Sequence, residues 1–321
     1  MTESGKEAAE CSEFLEMRHV NVARGSDVVL HDVNLTIRTG EHVAILGPNG
    51  CGKSTLILAM SCQLYPVAEE EMRVRIFGRE RWDLTALRRH FGVVASGLTT
   101  ELPGERTAVT SGLDAVVAGF FSASTLWPNL HVTEEMRARA HESLARMEAL
   151  HLAGRLVGTM SAGERRRILI ARALVHRPRQ LLLDEPSNAL DLAAQRELRE
   201  TLRRLAREGT GLVLVTHHLG DILPEIKRVI LIVKVEPCRG RRKALQRTAE
   251  VLAISSLLID LDDSQIAQLH QASERNVSAG KQFVTYSVDV DTECHRDAAG
   301  KFPFNRILDG IRISVEYRAF S

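Results

Sequence analysis

The stretch GPNGCGKST, at residues 47–55, limits what this chain can fold into more than any other part of the sequence. It follows the apolar run HVAIL and fits the pattern G-x-x-x-x-G-K-[ST], in which backbone N–H groups of the loop surround a phosphate. The helix that follows such a loop adds the positive end of its dipole. The stretch therefore predicts a buried strand, a phosphate-binding loop and a helix, in that order.

Each residue type in this stretch has a chemical reason to be there. Glycines let the backbone approach a phosphate closely and adopt positive φ. Lys53 is expected to reach the β- and γ-phosphates of a nucleotide, and the Ser54 hydroxyl is expected to ligate Mg²⁺. The nucleotide-binding residues predicted from the stretch are Gly47, Pro48, Asn49, Gly50, Cys51, Gly52, Lys53, Ser54 and Thr55.

A second apolar run, LLLDE at residues 181–185, ends in two carboxylates. Parallel sheets bind their ligands at the carboxyl ends of the strands, where these two side chains are expected to lie. We expect Asp184 to hold Mg²⁺, usually through water, and Glu185 to orient and deprotonate an attacking water. Together with the phosphate loop, the run predicts a nucleotide-hydrolysing site.

Composition argues against several other classes of protein. The 321 residues carry a formal net charge of +1, whereas nucleic-acid binding usually leaves a clear basic excess. The five cysteines include no CxxC pair, which favours a reduced cytosolic compartment. The N-terminus shows no apolar core of a signal peptide, and no apolar run approaches the ~18 residues that a membrane helix needs. If the protein acts at a membrane, we expect another chain to supply the spanning part.

The pattern of apolar segments predicts an α/β fold with three regions. Residues 1–13 form a polar arm, which we expect to be flexible, and strands alternate with helices over residues 14–235. The runs RQLLLDEP and GLVLVTHH are typical of strands buried on both faces of a parallel sheet. Residues 236–321 begin with a basic, turn-rich stretch and predict a small α+β extension with two alternating strands, FVTYSVDV and IRISVEYRAF.

The order of the motifs identifies a family that this chain resembles. The stretch MSAGERRRILIARAL begins at residue 160, and SNALD and VTHH follow the LLLDE run at residues 187–191 and 215–218. With the phosphate loop, these stretches are similar to the Walker A loop, signature loop, Walker B strand, D-loop and switch histidine of ATP-binding cassette (ABC) ATPases. The resemblance covers residues 14–235 and implies a P-loop NTPase fold with a parallel-sheet core, an antiparallel β-subdomain and a helical subdomain at about 97–158.

The resemblance also implies that two cassettes enclose two ATP molecules, with Mg²⁺, between the phosphate loop of one and the signature loop of the other. The signature residues expected to act on the partner's nucleotide are Ser161, Ala162, Gly163 and Glu164. They open a helix, so its N–H groups and its dipole suit a γ-phosphate. His217 is expected to contact the γ-phosphate of ATP and to act with Glu185 in catalysis. Asp191 is expected to communicate across the dimer.

Three positions depart from the family pattern. The family usually stacks an aromatic side chain on adenine, and Arg24 stands at the matching position. Its guanidinium plane could stack on a base, or Arg24 could be a surface arginine in a turn. Ser96 replaces the glutamine of the Q-loop, which leaves open how Mg²⁺, water and the transport partner are linked. His218 stands where the family often has an acidic residue, and we interpret it as structural.

The function implied by the resemblance is hydrolysis of ATP to ADP and phosphate by a cytoplasmic subunit on the inner face of the cell membrane. The implied partners are a transmembrane permease subunit, a second cassette (as a homodimer or a paired cassette) and a solute-binding protein, with no nucleic acid. The segment DAVVAGFFSAS, at residues 114–124, is similar to importer cassettes of the metal-chelate or molybdate type. We therefore expect a subunit that powers import, although the sequence does not identify the solute.

Two other functions remain compatible with the motifs: a soluble ABC ATPase that acts on the ribosome or nucleic acid, and a nucleotide-gated regulatory module. Relatives of the first kind usually hold two cassettes in one chain or long coiled-coil insertions, and this sequence shows neither. The altered Q-loop suggests the second, whereas the retained Glu185 argues against it.

Overall fold

The computed structural model describes residues 12–47, 49–95, 109–123 and 125–234, together with two strands at 283–290 and 311–314. Several sequence predictions therefore lie outside the described residues. They are the predictions for Pro48 and Ser96, for the N-terminal arm up to residue 11, and for most of residues 236–321.

The described residues form ten strands and six α-helices, connected by turns and short 3₁₀ segments. The strands are β1 (Glu13–Arg24), β2 (Asp27–Arg38), β3 (Val43–Leu46), β4 (Arg73–Ile76), β5 (Phe91–Val94), β6 (Gln180–Asp184), β7 (Gly211–Thr216), β8 (Arg228–Lys234), β9 (Phe283–Val290) and β10 (Ile311–Ser314). The helices are α1 (Lys53–Met60), α2 (Leu84–His90), α3 (Gly112–Val117), α4 (Glu134–Arg146), α5 (Ala162–Leu174) and α6 (Leu192–Arg207).

Five of the six described helices begin at residues whose side chains cap them, among them α4, α5 and α6. The side chains of Thr133, Ser161 and Asp191 precede α4, α5 and α6 and each accept a hydrogen bond from a backbone N–H of the first turn. Such caps satisfy N–H groups that have no partner within the helix, which stabilises the helix start by about 1 kcal/mol. The caps fix where α5 and α6 begin, and both starts carry motif residues.

The first part of the chain forms a three-stranded antiparallel sheet in the order β2-β1-β4. β1 and β2 are joined by a tight turn in which Gly25 has a φ of +68°. Val20 and Val22 of β1 and Leu35 and Ile37 of β2 are buried, as expected for a sheet with one face on the core. This sheet is the antiparallel subdomain that the sequence predicted.

The second sheet has seven strands in the order β10-β9-β8-β3-β7-β6-β5. The five strands from β8 to β5 run parallel, so their carboxyl ends meet at one edge of the sheet. β3, β6 and β7 are buried along their whole length, which their continuous apolar runs predicted. The predicted parallel-sheet core is therefore confirmed.

The large sheet separates two hydrophobic cores, because successive side chains of a strand point to opposite faces. Leu181 and Leu183 of β6 pack among helices α3 to α6, whereas Leu182 packs with α1 and the three-stranded sheet. The residues of β7 divide in the same way. β6 and β7 are thus fixed from both sides, and the residues that follow them lie side by side.

The C-terminal part of the chain contributes the two strands predicted for it. β9 covers FVTYSVDV and pairs antiparallel with β8, and β10 covers the first four residues of IRISVEYRAF and pairs with β9. Both strands lengthen the large sheet at the edge farthest from β5. Within the described parts of the chain, no helix has the length and apolar character that crossing a membrane requires.

Candidate functional site

The loop between β3 and α1 has a backbone that requires glycine at three positions. A Cβ at Gly47 would lie 2.5 Å from Cys51 Sγ and 2.6 Å from the carbonyl oxygen of Ile232. Gly50 and Gly52 have φ of +79° and +98°, in the left-handed region that residues with side chains rarely adopt. Cys51 is buried, and burial raises the pKa of its thiol. The loop is therefore shaped by its own backbone, as a phosphate cradle requires.

Lys53 opens α1 and places its positive charge beside this loop. Its side chain is almost fully buried, and Nζ donates a hydrogen bond to the carbonyl oxygen of Gly47 at 2.7 Å. Ser54 is exposed and Thr55 is buried. Charge, hydroxyls and the positive end of the α1 dipole are therefore concentrated at one point of the fold.

These residues line a cleft of about 360 Å³ between the loop and the carboxyl end of β6. The predicted site residues in its lining are Arg24, Asn49, Gly50, Gly52, Lys53, Ser54, Thr55, Asp184 and Glu185, joined by Val29 and Asn188. The structure thus brings the two motifs that were predicted to share a nucleotide into one cavity.

Asp184 ends β6 inside this cleft and is only 7% exposed. Burial, and then the neighbouring carboxylate of Glu185, raise the pKa of Asp184 to about 6, whereas Lys53 and Arg166 lower it. The ionised carboxylate is therefore under-compensated by the protein around it. Together with the Ser54 hydroxyl in the same cleft, it forms an oxygen donor set of the kind that Mg²⁺ prefers.

Glu185 and His217 form a hydrogen-bonded pair beyond the ends of β6 and β7. Nδ1 of His217 lies 2.7 Å from Oε1 of Glu185, and the Glu185 N–H donates to the carbonyl oxygen of Val215 at 2.7 Å. Glu185 has a φ of +44°, a left-handed conformation that costs a residue with a side chain free energy. The parallel pairing of β6 with β7 overrides this cost and holds the carboxylate beside the imidazole.

His218 lies against His217, with 3.8 Å between the centroids of the two rings. Its backbone N–H donates to Thr216 Oγ1 at 3.0 Å. Both contacts are local to the turn after β7, and a structural role for His218 stays our interpretation.

Asp221 is a residue of this region that sequence reasoning missed. It is buried at the end of the short 3₁₀ segment Leu219–Asp221, and Oδ2 accepts hydrogen bonds from Ser187 Oγ and Thr216 Oγ1. The available sequence signal was an acidic residue soon after the VTHH motif, which by itself indicates nothing. The contacts of Asp221 connect the loop after β6 to the end of β7.

The signature residues form an exposed helix start. Ser161 Oγ accepts from the Glu164 N–H at 3.2 Å, and Glu164 Oε2 accepts from the Ser161 N–H at 2.8 Å, which is a complete capping box. The Ser161 backbone and Arg155 hold the pKa of Glu164 below its usual value. Among the described residues none accepts from the N–H of Ala162 or Gly163. These two N–H groups are therefore available to an anion from outside.

The signature and the D-loop pack against each other. A Cβ at Gly163 would lie 3.3 Å from Cβ of Ala194, in the first turn of α6. Asp191 Oδ1 accepts from the Ala194 N–H at 2.8 Å, so its side chain caps α6 within this chain. None of residues 161–164 lies in the described lining of the cleft. One chain therefore presents the phosphate loop and the signature as separate surfaces.

Arg24 lies at the end of β1, and its side chain lines the cleft beside Val29 and Asn49. No aromatic residue is found among the described residues of this lining. The position supports a role for Arg24 beside the nucleobase, which stays a prediction.

Comparison with known sequences gives a consistent result. Residues 30–188 match the family model described as ABC transporter. Over 245 residues the chain is 35% identical to the cobalt import ATP-binding protein CbiO of Rhodobacter capsulatus, which covers 74% of this chain and 77% of that protein. Over 225 residues it is 31% identical to the hemin import ATP-binding protein HmuV of Photobacterium damsela subsp. piscicida, covering 68% of this chain and 79% of that protein.

Solved structures agree with the sequence comparison. The dimeric structure of MJ0796, a bacterial ABC transporter cassette, matches with a TM-score of 0.56 and 29% identity, over 68% of this chain and 94% of that chain. The same cassette, as a dimer in a post-hydrolysis state bound to ADP and Pi, matches with a TM-score of 0.55 and 29% identity, over 68% and 93%. The predicted cassette fold is therefore confirmed.

Proposed function

This chain belongs to the ABC transporter ATP-binding family, and we propose that it binds and hydrolyses ATP to power the import of a solute through a separate membrane permease. The two relatives described above are named as import ATP-binding proteins, one for cobalt and one for hemin. The observation that carries the proposal is the cleft in which the phosphate loop, Asp184 and Glu185 lie together, with His217 bonded to Glu185.

The charges of the cleft suit the triphosphate of ATP. Backbone N–H groups of the loop and the positive end of the α1 dipole bind phosphate oxygens, and Lys53 supplies the counter-charge. Arg24 stacks on the adenine through its guanidinium plane. The base therefore lies toward the β1–β2 turn and the γ-phosphate toward Glu185.

Mg²⁺ is the cofactor that fits the oxygen donors of the cleft. Ser54 and Asp184 would hold it, and the ion would supply positive charge to neutralise the phosphates of the nucleotide. The raised pKa of Asp184 supports this assignment, because burial outweighs the positive charges of Lys53 and Arg166 around the carboxylate.

Glu185 and His217 divide the chemistry of hydrolysis between them. The Glu185 carboxylate orients the attacking water and takes its proton. His217 holds that carboxylate through Nδ1, which leaves Nε2 to contact the γ-phosphate.

A second cassette completes the site. Ser161, Ala162, Gly163 and Glu164 stand apart from the cleft of their own chain, and the N–H groups of Ala162 and Gly163 are available to an anion. We infer that they meet the γ-phosphate held by a partner, either a second copy of this chain or a paired cassette. Asp191, which packs near the signature, communicates between the two sites.

A groove between α2, β5, α5 and the 3₁₀ segment Ala118–Phe121 is suited to docking the permease. It is lined by apolar residues, including Leu87 and Val93, and by Arg88 and Arg172, with no acidic residue among its described lining. A permease segment with apolar residues and a carboxylate fits such a groove. Docking there places the cassette on the cytoplasmic, inner face of the membrane, and a solute-binding protein delivers the solute to the permease.

The proposal is tested by ATP turnover of the purified full-length chain and of Glu185→Gln. We expect the variant to lose at least about 100-fold in kcat, because an amide does not accept the proton of the attacking water. ATP affinity should stay within about threefold, since the phosphate contacts are unchanged. Glu142→Gln is the matched control, because Glu142 forms an exposed ion pair with Arg177 and neither residue lies in the described lining of the cleft.

Four results would decide the outcome. Turnover by the wild type and the control, with loss in Glu185→Gln, supports the proposed site. Absence of ATP binding by the wild type contradicts the function itself. Co-purification with a multi-span membrane protein supports transport, whereas co-sedimentation with ribosomes supports the soluble alternative.

A further inference from the structure

We propose that Asp221 is a positioning residue for ATP hydrolysis, because its buried carboxylate ties the loop that carries Glu185 to the turn that carries His217. The inference rests on the proposed function, since it assigns a further role at the same site. Asp221 lies outside all the motifs considered above and outside the described lining of the cleft, so it acts through other residues rather than on the nucleotide.

The hydrogen bonds of Asp221 are short and protected from water. Ser187 Oγ donates to Oδ2 at 2.6 Å, and Thr216 Oγ1 donates to the same oxygen at 2.7 Å. Both distances lie within the normal range of O–H···O hydrogen bonds. Asp221, Ser187 and Thr216 are each at most 5% exposed. Loss of the carboxylate would therefore leave two buried hydroxyl groups without their acceptor.

The first of these bonds fixes the loop that follows Glu185. Ser187 lies at its centre: the Asn188 N–H donates to the carbonyl oxygen of Glu185 at 3.1 Å, and the Leu190 N–H donates to that of Ser187 at 3.2 Å. The loop therefore consists of two successive turns that lead to Asp191 at the start of α6. By holding the Ser187 side chain, Asp221 fixes both turns relative to β7.

The second bond fixes the turn that carries His217. Thr216 is the last residue of β7, and its Oγ1 also accepts from the His218 N–H at 3.0 Å. The Asp221 N–H donates to the carbonyl oxygen of His218 at 3.2 Å, which closes the turn on itself. His217 therefore projects from a segment whose two ends are both tied to Asp221.

Asp221 makes a side-chain connection between these segments that does not depend on nucleotide. The His217–Glu185 bond joins two groups that the reaction itself uses, so this bond must adjust when water and the γ-phosphate arrive. The Asp221 bonds are buried and involve no reacting group. They keep the positions of Glu185 and His217 relative to each other while the contacts around the phosphate change.

The direct test compares Asp221→Ala and Asp221→Asn with the wild-type full-length chain. We expect Asp221→Ala to lower kcat at least about tenfold while KM for ATP changes less than about threefold, because the phosphate contacts remain. In Asp221→Asn the amide oxygen can still accept from both hydroxyls, and kcat should stay within about fivefold of the wild type. Thermal unfolding is measured alongside, and Ser187→Ala provides a milder variant if Asp221→Ala does not fold.

A double-mutant cycle separates positioning from a general loss of stability. If Asp221 acts through His217, Asp221→Ala in a His217→Ala background should lower kcat by less than about twofold further. Asp114→Ala is the matched control, since the Asp114 carboxylate also accepts from a hydroxyl, Ser111 Oγ at 2.8 Å, in the helical region. Its effect should be small and equal in both backgrounds.

The possible outcomes each decide the question. A full additional loss in the His217→Ala background, or wild-type kcat in Asp221→Ala, overturns the positioning role. Failure of the proposed function is distinct, because the wild type would then not hydrolyse ATP and Glu185→Gln would have no turnover to lose.

Discussion

The two surfaces of this chain that we propose to bind ATP are built in opposite ways. At the cleft, Lys53 and Asp184 are buried, and the loop backbone leaves no space for a side chain at Gly47. At the signature, Ser161 and Ala162 are exposed, and the helix start is closed by its own capping box. We propose that the cleft is preformed to receive phosphate, whereas at the signature the Ala162 and Gly163 N–H groups have no acceptor among the described residues.

The carboxylates of the two surfaces also differ, because their pKa values are shifted in opposite directions. Burial raises the pKa of Asp184, so the cleft holds a carboxylate that is costly to ionise. The Ser161 backbone and Arg155 lower the pKa of Glu164, so the signature stabilises its own carboxylate. A bound cation would relieve the unfavourable burial of the Asp184 carboxylate, whereas the Glu164 carboxylate is already stabilised by its own chain. Nucleotide should therefore bind the cleft first and recruit a signature second.

The largest expected effect on binding is at the cleft. Lys53→Ala removes the counter-charge beside the phosphate loop, and ATP affinity should fall on the order of 100-fold. Isothermal titration calorimetry measures the change, with Lys227→Ala, an exposed lysine, as the control. Equal ATP affinity in the wild type and Lys53→Ala would break the comparison, because the cleft would then not be the receptor.

A change at the signature should spare binding and affect only turnover. Gly163→Asp places a negative charge where a γ-phosphate is expected, and kcat should fall on the order of 30-fold or more while ATP affinity of the single chain is kept. Gly163→Ala is the control, since it adds the same Cβ near Ala194 without the charge. A parallel loss of ATP affinity in Gly163→Asp would show that the two surfaces are not separate.

The smallest predicted effect concerns stability and pH. The pKa of Asp184 rises from 3.8 to about 6 on folding, so its stabilising contribution is present at low pH and is lost as pH rises through about 6. With EDTA and no nucleotide, Asp184→Asn should exceed the wild type in free energy of unfolding at pH 8 by on the order of 1–3 kcal/mol. The difference should shrink toward pH 4.

Glu164 of the signature provides a control for this measurement, because its pKa is shifted in the opposite direction to that of Asp184. The pKa of Glu164 is lowered, so its contribution is present above its unfolded pKa and is lost at acidic pH. Glu164→Gln should therefore be slightly less stable than the wild type at pH 8. The same direction of change for both substitutions would contradict the contrast between the two surfaces.

Most of the fold was readable from the sequence, because its signals are local. Continuous apolar runs predict β6 and β7, and an alternating run predicts β9. The resemblance to ABC ATPases added the order of the subdomains. The pairing of β9 with β8 could not be predicted, because a long segment separates the two strands and strand pairing depends on tertiary contacts.

The candidate site was predictable where the residue types and spacing of a motif indicate its chemistry. The loop residues and the LLLDE carboxylates follow from spacing and residue type, and the structure places them in one cleft. Asp221 was not predictable, because its role arises from the distance between two chain segments that the sheet brings together. The raised pKa of Asp184 likewise depends on burial that no short motif records.

The central claim is that two cassettes close on ATP, each providing a cleft for one nucleotide and a signature for the other. Its most direct test is the molar mass of Glu185→Gln in solution by multi-angle light scattering, with and without saturating Mg²⁺–ATP. We predict a single-chain mass without nucleotide, twice that mass with it, and loss of the doubling when Gly163→Asp is added. A single-chain mass at saturating ATP would contradict the account.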